Sequence, residues 1–313
     1  MEITKVSEEP TKILKAPEKI IFCLPKIRFV VIGAGGTGSY LIRDLSRLVS
    51  IYNRKGRQDS ILLIDGDSVE EHNLTRQNFI SRDIGRNKAQ VLATRYGSSF
   101  GIEISFIPEY LKKENFNNIL NDLRINTVFI GCVDNNATRC IIHDMYRSSS
   151  YLDSLAYLDS GNEENAGQVV FSCSGGYTDN NRKIRFRAPD PEIPDAVSLF
   201  NMSPDDRHPE DLSCAERAVH APQNIATNMM AAQVLLNYCN TIIASSIHKA
   251  EIDNNSNPVN RYMKYKLIRG ISSHVKYFNS RTNTITSQNF PENISLFIGN
   301  LKEKEDARMK RYL

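Results

Sequence analysis

The chain has 313 residues, with 39 Lys and Arg against 36 Asp and Glu and 41% hydrophobic residues, enough length for a substantial core and the composition of an ordinary globular protein. A net charge of +3 is too balanced to mark a direct nucleic-acid binder, and no apolar run nears the roughly 18 residues of a membrane span. Six cysteines without a C-x-x-C pair or metal-ligand spacing argue against structural zinc and against a disulfide framework.

Residues 1–27 read as a charged leader without a signal-peptide core, so the expected location is cytoplasmic. Arg28-Phe-Val-Val-Ile32 is a continuous apolar run, as in a strand buried on both faces of a parallel sheet. Glycines follow, and from Thr37 to Ile51 apolar residues Leu41, Ile42, Leu45, Leu48 and Val49 recur at helical spacing. Ile61–Ile64 then gives a second strand ending at Asp65, completing a β-α-β unit of the nucleotide-binding type. The alternation continues with a helix over Gly85–Tyr96, a strand at Ile102–Ile107, a short helix at Phe116–Leu123 and a strand at Thr127–Ile130. A helix over Ala137–Arg147 and strands near Tyr157–Leu158 and at Gln168–Phe171 follow.

Prolines and acidic residues dominate 188–210, which reads as a long irregular loop. A helix is expected from Pro222 to Ser246, with Ile225, Met229, Ala232 and Leu236 on its apolar face. Short strands at Tyr262–Ile268 and His274–Phe278 and a charged tail end the chain. The expected fold is therefore α/β: a Rossmann-like, doubly wound, mostly parallel sheet with helices on both faces, and a small C-terminal β-containing extension. Residues 28–250 would form the nucleotide-binding domain and 251–313 the extension.

Gly33, Gly35 and Gly38, with Gly36 between them, form G-x-G-x-x-G at a strand-to-helix turn. There small residues admit phosphates and the helix N-terminus offers free N–H donors. A tight turn required for packing alone gives the same pattern. Asp65 stands where a dehydrogenase holds a ribose hydroxyl, so to this point NAD and ATP fit equally. The next segment, "DGDSVEEHNLTRQNF", then "GRNKAQ", separates them. Arg76 and Lys88, with Asn73 and Gln77 as neutral donors, supply what a triphosphate and its leaving pyrophosphate need. Asp134, at the end of the fourth strand in "GCVDNNATR", is placed to bind Mg²⁺ beside phosphates, or else caps the next helix with Asn135.

The ordered set "VIGAGGTGS", "LIDGDSVEEHNLTRQNF", "GRNKAQ" and "CVDNNATR" resembles the ThiF/MoeB/ubiquitin-activating (E1-like) superfamily. The later stretches "YLDSGNEENAGQVV" and "LSCAERAVHAPQNIATNMMAAQ" are most similar to bacterial PRTRC-type ThiF proteins. The resemblance spans about Arg28 to Asn240. It implies ATP- and Mg²⁺-dependent adenylation of the C-terminal carboxylate of a small ubiquitin-like or sulfur-carrier (β-grasp) protein ending in glycine. It further implies that the glycines line phosphates, that Asp65 and Asp67 hold ribose, that Asn73, Arg76, Gln77 and Lys88 grip the triphosphate, and that Asp134 binds Mg²⁺. Arg76, Lys88 and Asp134 would thus serve catalysis. Cys214, in "LSCAERAVHAP", matches the cysteine on which many relatives capture the acyl group as a thioester; a buried structural thiol is the alternative. A homodimer and a downstream conjugating enzyme are the further partners implied. The zinc-binding C-x-x-C pairs of many relatives are absent from the sequence. A non-catalytic nucleotide-binding adaptor of the same fold and, against the cations, an NAD-dependent oxidoreductase are the rival readings. Cys132, Cys140, Cys173 and Cys239 read as core, and the six histidines as structural or solvated.

Overall fold

The computed structural model describes residues 20, 22, 24, 26–115, 126–148, 155–174, 193–204, 224–255 and 270–290. Eight strands form one sheet: β1 (Ile27–Ile32), β2 (Ser60–Ile64), β3 (Ile104–Ile107), β4 (Asn126–Gly131), β5 (Leu155–Asn162), β6 (Ala166–Ser174), β7 (Ser273–Asn279) and β8 (Thr284–Asn289). They are accompanied by the α-helices α1 (Gly36–Asn53), α2 (Lys88–Phe100), α3 (Asn136–Ser148), α4 (Ala196–Phe200) and α5 (Ile225–Asn255) and by short 3-10 turns at Glu71–Thr75 and Ser81–Asp83. The strand order is β3-β2-β1-β4-β5-β6-β7-β8. The first five strands are parallel, and β5 to β8 pair antiparallel. The expected Rossmann-like α/β fold is therefore present, and the C-terminal strands extend the same sheet.

The central strands are apolar throughout because both of their faces are covered. Phe29 and Val31 of β1 join Ile61 and Leu63 of β2 and Val128 and Ile130 of β4 in one core, under α1, α2 and α5. Val30, Ile32, Leu62, Ile64 and Phe129 point the other way and meet Ile142, Met145 and Tyr146 of α3. Each such side chain, once buried, contributes about 1.5–3 kcal/mol.

Local signals set the element ends. Asn87 caps α2, its side chain accepting from the Gln90 N–H, and Gly101 closes that helix in a left-handed conformation. The helix thus starts at Lys88, three residues after the expected Gly85. Within the stretch read as irregular, α4 forms because Asp195 accepts from the Ser198 N–H at 2.9 Å. β8 carries only polar residues and one Ile, all exposed, so it gave no strand pattern.

The long helix α5 differs from expectation in its first turns. Ala231, Val234, Leu235, Tyr238, Ile242 and Ile243 form the inner stripe, with Ala232 buried and Leu236 packed against the core as expected, whereas Ile225 and Met229 are 47% and 44% exposed. The first turn is rotated by polar residues: Thr227 and Asn228 are fully buried. Asn224 caps the helix through the Thr227 N–H at 2.8 Å and donates to the Glu164 carbonyl at 2.5 Å.

The expected short helix at Phe116–Leu123, the strand at Tyr262–Ile268, the leader and the charged tail lie outside the described residues, apart from a few positions of the leader. No helix among the described residues is long and apolar enough to cross a membrane.

The start of β1 is anchored by a buried ion pair. Asp59 accepts from the Ile27 N–H at 2.8 Å and from Arg57 at 2.6 and 2.7 Å, with its side chain 0% exposed. Asp59→Ala strands the Arg57 charge and the Ile27 N–H. It is expected to cost about 3 kcal/mol or more in urea unfolding. A loss below about 1 kcal/mol, the range of surface pairs, would show the anchor to be dispensable.

Candidate functional site

The chain passes from β1 outward through β2 to β3 and then returns to β4 on the other side of β1. A crevice opens at the carboxyl ends of the strands at such a reversal. Here it is a cavity of about 320 Å³, lined by the turns after β1, β2, β4 and β5.

The β1–α1 turn is held down by its glycines. Gly33 has φ +94°, and a Cβ there would stand 2.5 Å from the Cys132 carbonyl oxygen. A Cβ on Gly38 would stand 1.9 Å from the Gly33 oxygen. Gly38 is therefore a packing residue and does not line the cleft, unlike Gly33, Gly35 and Gly36. At Gly35 a Cβ would approach only the far end of Gln77, at 3.9 Å. No side chain caps α1, so its first N–H groups and positive dipole end face the cleft.

Asp65 accepts from the Ala34 N–H at 2.5 Å and the Asp67 N–H at 2.8 Å. Burial pushes its carboxyl up to about 6, with Lys88 pulling it down and Asp67 pushing it up. Asp67 receives the Lys88 ammonium at 2.8 Å and a short hydrogen bond from the Tyr110 hydroxyl. Lys88 is 5% exposed, so its charge is held at the cleft wall by this one carboxylate.

Asn73 closes its own turn, accepting from the Glu70 N–H at 2.9 Å. Arg76 and Gln77 follow it on the cleft wall. The Gln77 side-chain carbonyl is buried and has no hydrogen-bond partner among the described residues. At the opposite wall Asn135 caps α3 through the Thr138 N–H at 2.8 Å. Asp134, which competed for that capping role in the sequence, is instead exposed and lines the cleft. Arg139 lines the cleft but is engaged within the protein: it pairs with buried Asp159 at 3.2 Å and donates to the Val133 and Ser160 carbonyls. It ties the loop after β4 to β5.

Every expected cofactor-binding residue except Gly38 therefore lines one cleft, together with Asp134. Cys214 lies outside the described residues. Among the described residues no group of three or more His, Cys, Asp or Glu is arranged to hold a metal ion. A single exposed carboxylate such as Asp134 is a hard oxygen donor, suited to a magnesium ion that completes its shell with phosphates and water. Cys140, Cys173 and Cys239 are buried as expected, whereas Cys132 is half-buried at the cleft, its thiol pushed up by burial. His143 is paired, with Asp195 at 2.6 Å, a partner 52 residues away that sequence neighbours do not reveal. The cleft also holds Tyr110, which lies in none of the quoted stretches, and Thr37 and Asn162, which lie in two of them but had no role assigned from the sequence.

The Asp65 environment has a pH signature. A carboxyl raised in the folded state stabilises the fold when protonated, fully below its ordinary value near 3.8, and that contribution is lost as pH rises through about 6. The unfolding free energy of the wild type minus that of Asp65→Asn is expected to fall between about pH 4 and pH 7 and to be flat above. A difference that is constant across this range would contradict the assignment.

Three comparisons place these features. No curated protein sequence matches the chain significantly. Among solved structures, E. coli MccB with ATP aligns at 16% identity and TM-score 0.50, covering 85% of this chain and 64% of that one. The microcin C7 biosynthetic enzyme MccB in complex with N-formylated MccA aligns at 16% identity and TM-score 0.51, covering 85% and 65%. PaaA aligns at 13% identity and TM-score 0.48, covering 85% and 65%. The chain thus spans about 65% of the length of these structures, and the likeness is one of fold. The match to the ThiF family covers residues 18–286, and it takes in the glycine turn, the cleft and the antiparallel strands β5 to β7 in full: this chain belongs to the ThiF family.

Proposed function

We propose that this ThiF-family protein binds ATP and Mg²⁺ in the described cleft and adenylates the C-terminal carboxylate of a small protein or peptide. The finer reading is a ubiquitin-like or sulfur-carrier partner of the β-grasp type ending in glycine. The observation that carries the proposal is the meeting of an uncapped helix N-terminus, the cations Arg76 and Lys88 and the exposed carboxylate Asp134 around one cavity. The structure of MccB solved with ATP supports ATP as the nucleotide in this fold. An NAD-dependent oxidoreductase would have no use for two cations beside the second strand, where a dinucleotide presents ribose.

In this reaction a carboxylate oxygen forms a bond to the α-phosphorus while the bond from that phosphorus to the oxygen bridging to the β-phosphate breaks. The products are the acyl-adenylate and pyrophosphate. No side-chain nucleophile is required, so catalysis is alignment and charge neutralisation. The glycine turn and the first N–H groups of α1 receive phosphate oxygens, and Asp65 and Asp67 accept from ribose hydroxyls. Arg76 and Lys88 offset the charge that gathers on the departing pyrophosphate. Lys88 is already desolvated and oriented by Asp67, so little reorganisation accompanies the transition state. Asp134 would hold the magnesium ion, which when bound neutralises phosphate charge. Gln77, whose carbonyl lacks a partner among the described residues, is available to the nucleotide or to the incoming chain end.

The proposal extends to capture of the acyl group on Cys214 as a thioester, to a homodimer, and to transfer onto a downstream conjugating enzyme. These rest on the sequence resemblance.

ATP–pyrophosphate exchange with candidate small proteins ending in glycine tests the reaction. The wild type should exchange label, and Asp134→Ala or Lys88→Ala should lower the rate by about 100-fold or more. Exchange that survives both changes would remove these residues from the chemistry, and exchange with no candidate would refute adenylation. A conjugate that is lost on thiol treatment and in Cys214→Ala would mark the thioester. A conjugate pattern unaffected by that substitution would exclude it.

A further inference from the structure

Three side chains, buried Asn228, half-buried Asn162 and buried Thr37, run from the Arg76 backbone to the phosphate-binding turn. Asn228, fully buried on α5, directs Nδ2 at the Arg76 carbonyl at 3.5 Å. Its Oδ1 accepts from Asn162 Nδ2 at 3.3 Å, and the same Asn162 amide donates to Thr37 Oγ1 at 2.6 Å. Thr37 lies in the first turn of α1, is 6% exposed and lines the cleft.

The sense of this chain is fixed at one end. A backbone carbonyl only accepts, so Asn228 must turn its nitrogen to Arg76 and its oxygen to Asn162. Asn162 is then obliged to present its nitrogen, and both of its amide hydrogens are committed, one to Asn228 and one to Thr37. The Thr37 oxygen therefore accepts, and its own hydrogen has no acceptor among the described residues. That hydrogen sits beside the uncapped N-terminus of α1. The Gln77 carbonyl, buried and without a partner among the described residues, is a second unsatisfied polar group on the wall of the same cleft. Buried polar groups are left unpaired at a cost, and the natural acceptor for a hydroxyl beside a helix N-terminus is an anion.

We propose that Thr37 donates its hydroxyl hydrogen to a phosphate oxygen of the bound nucleotide, with Asn162 and Asn228 as positioning residues that hold the hydroxyl in that sense. The inference rests on the nucleotide-binding reading above and adds a phosphate ligand to it. It also couples the Arg76 segment and the start of α5 to the phosphate turn through one set of hydrogen bonds.

Equilibrium binding of ATP, in the presence of magnesium, and of adenosine to the full chain separates the possibilities. A hydrogen bond to a charged group corresponds to about 10- to 100-fold in affinity. Thr37→Val, which keeps the shape and loses the hydroxyl, should weaken ATP by that factor and leave adenosine within about twofold. Thr37→Ser should restore ATP binding. Asn162→Asp, which offers the hydroxyl an acceptor and reverses its sense, should weaken ATP as Thr37→Val does, and it serves as the second probe should the valine variant fail to fold. Unchanged ATP affinity in Thr37→Val, or equal losses for ATP and adenosine, would overturn the inference while leaving the nucleotide site standing. A wild type that binds neither ligand would overturn the nucleotide-binding reading itself.

Discussion

The structure depends on one close approach: the turn after β1 lies directly on the end of β4, with no room for a side-chain carbon at Gly33 or Gly38. A methyl group at Gly33 would have to push the turn off the end of β4, and one at Gly38 would have to push α1 off the Gly33 carbonyl of the turn. Because the turn sits so low, α1 begins at the carboxyl edge of the strands and points its first N–H groups into the crevice rather than over it. The loops after β2, β4 and β5 leave the same edge, so residues far apart in the chain converge on one space of about 320 Å³. The cleft is thus a consequence of strand order and of two missing side chains, and its chemistry is supplied by whatever those loops carry.

What they carry is arranged before any ligand arrives. Lys88 is desolvated and held by Asp67, Asp67 is braced by Tyr110, and Asp65 is fixed by two backbone N–H groups. On the far wall, Arg139 and Asp159 pin the β4 loop to β5, with Arg139 on the cleft lining, and Asp134 beside them is exposed. The buried cations Lys88 and Arg139 are paired with Asp67 and Asp159, whereas Asp134, Glu70 and Glu163 are exposed carboxylates on the cleft lining, hard oxygen donors of the kind a magnesium ion takes.

The sequence carried the β-α-β core because strands buried on both faces leave continuous apolar runs, and because the glycine turn has few substitutes. The cleft residues of the strand-ending loops were legible for the same reason: Asp65, Arg76, Lys88 and Asp134 follow recognisable strands at short distance. Contacts that close across the fold were not. Asn162 meets Thr37 across 125 residues, and Tyr110 meets Asp67 across 43, so neither has a local pattern. The same polar chemistry explains the misread first turns of α5, where buried Thr227 and Asn228 turn Ile225 and Met229 outward against the rule that apolar residues face in. Asn135 rather than Asp134 became the cap of α3, a choice between adjacent residues that periodicity does not decide. An edge strand such as β8, polar and exposed, offers no alternation to read.

A cleft built for a chain of phosphates should grade its ligands by phosphate number. Affinities of the full protein for adenosine, AMP, ADP, ATP and NAD, measured in one magnesium-containing buffer, test this. Affinity is expected to rise with each added phosphate, and ATP to outcompete NAD. An affinity for NAD equal to or above that for ATP, or no gain from adenosine to ATP, would contradict it.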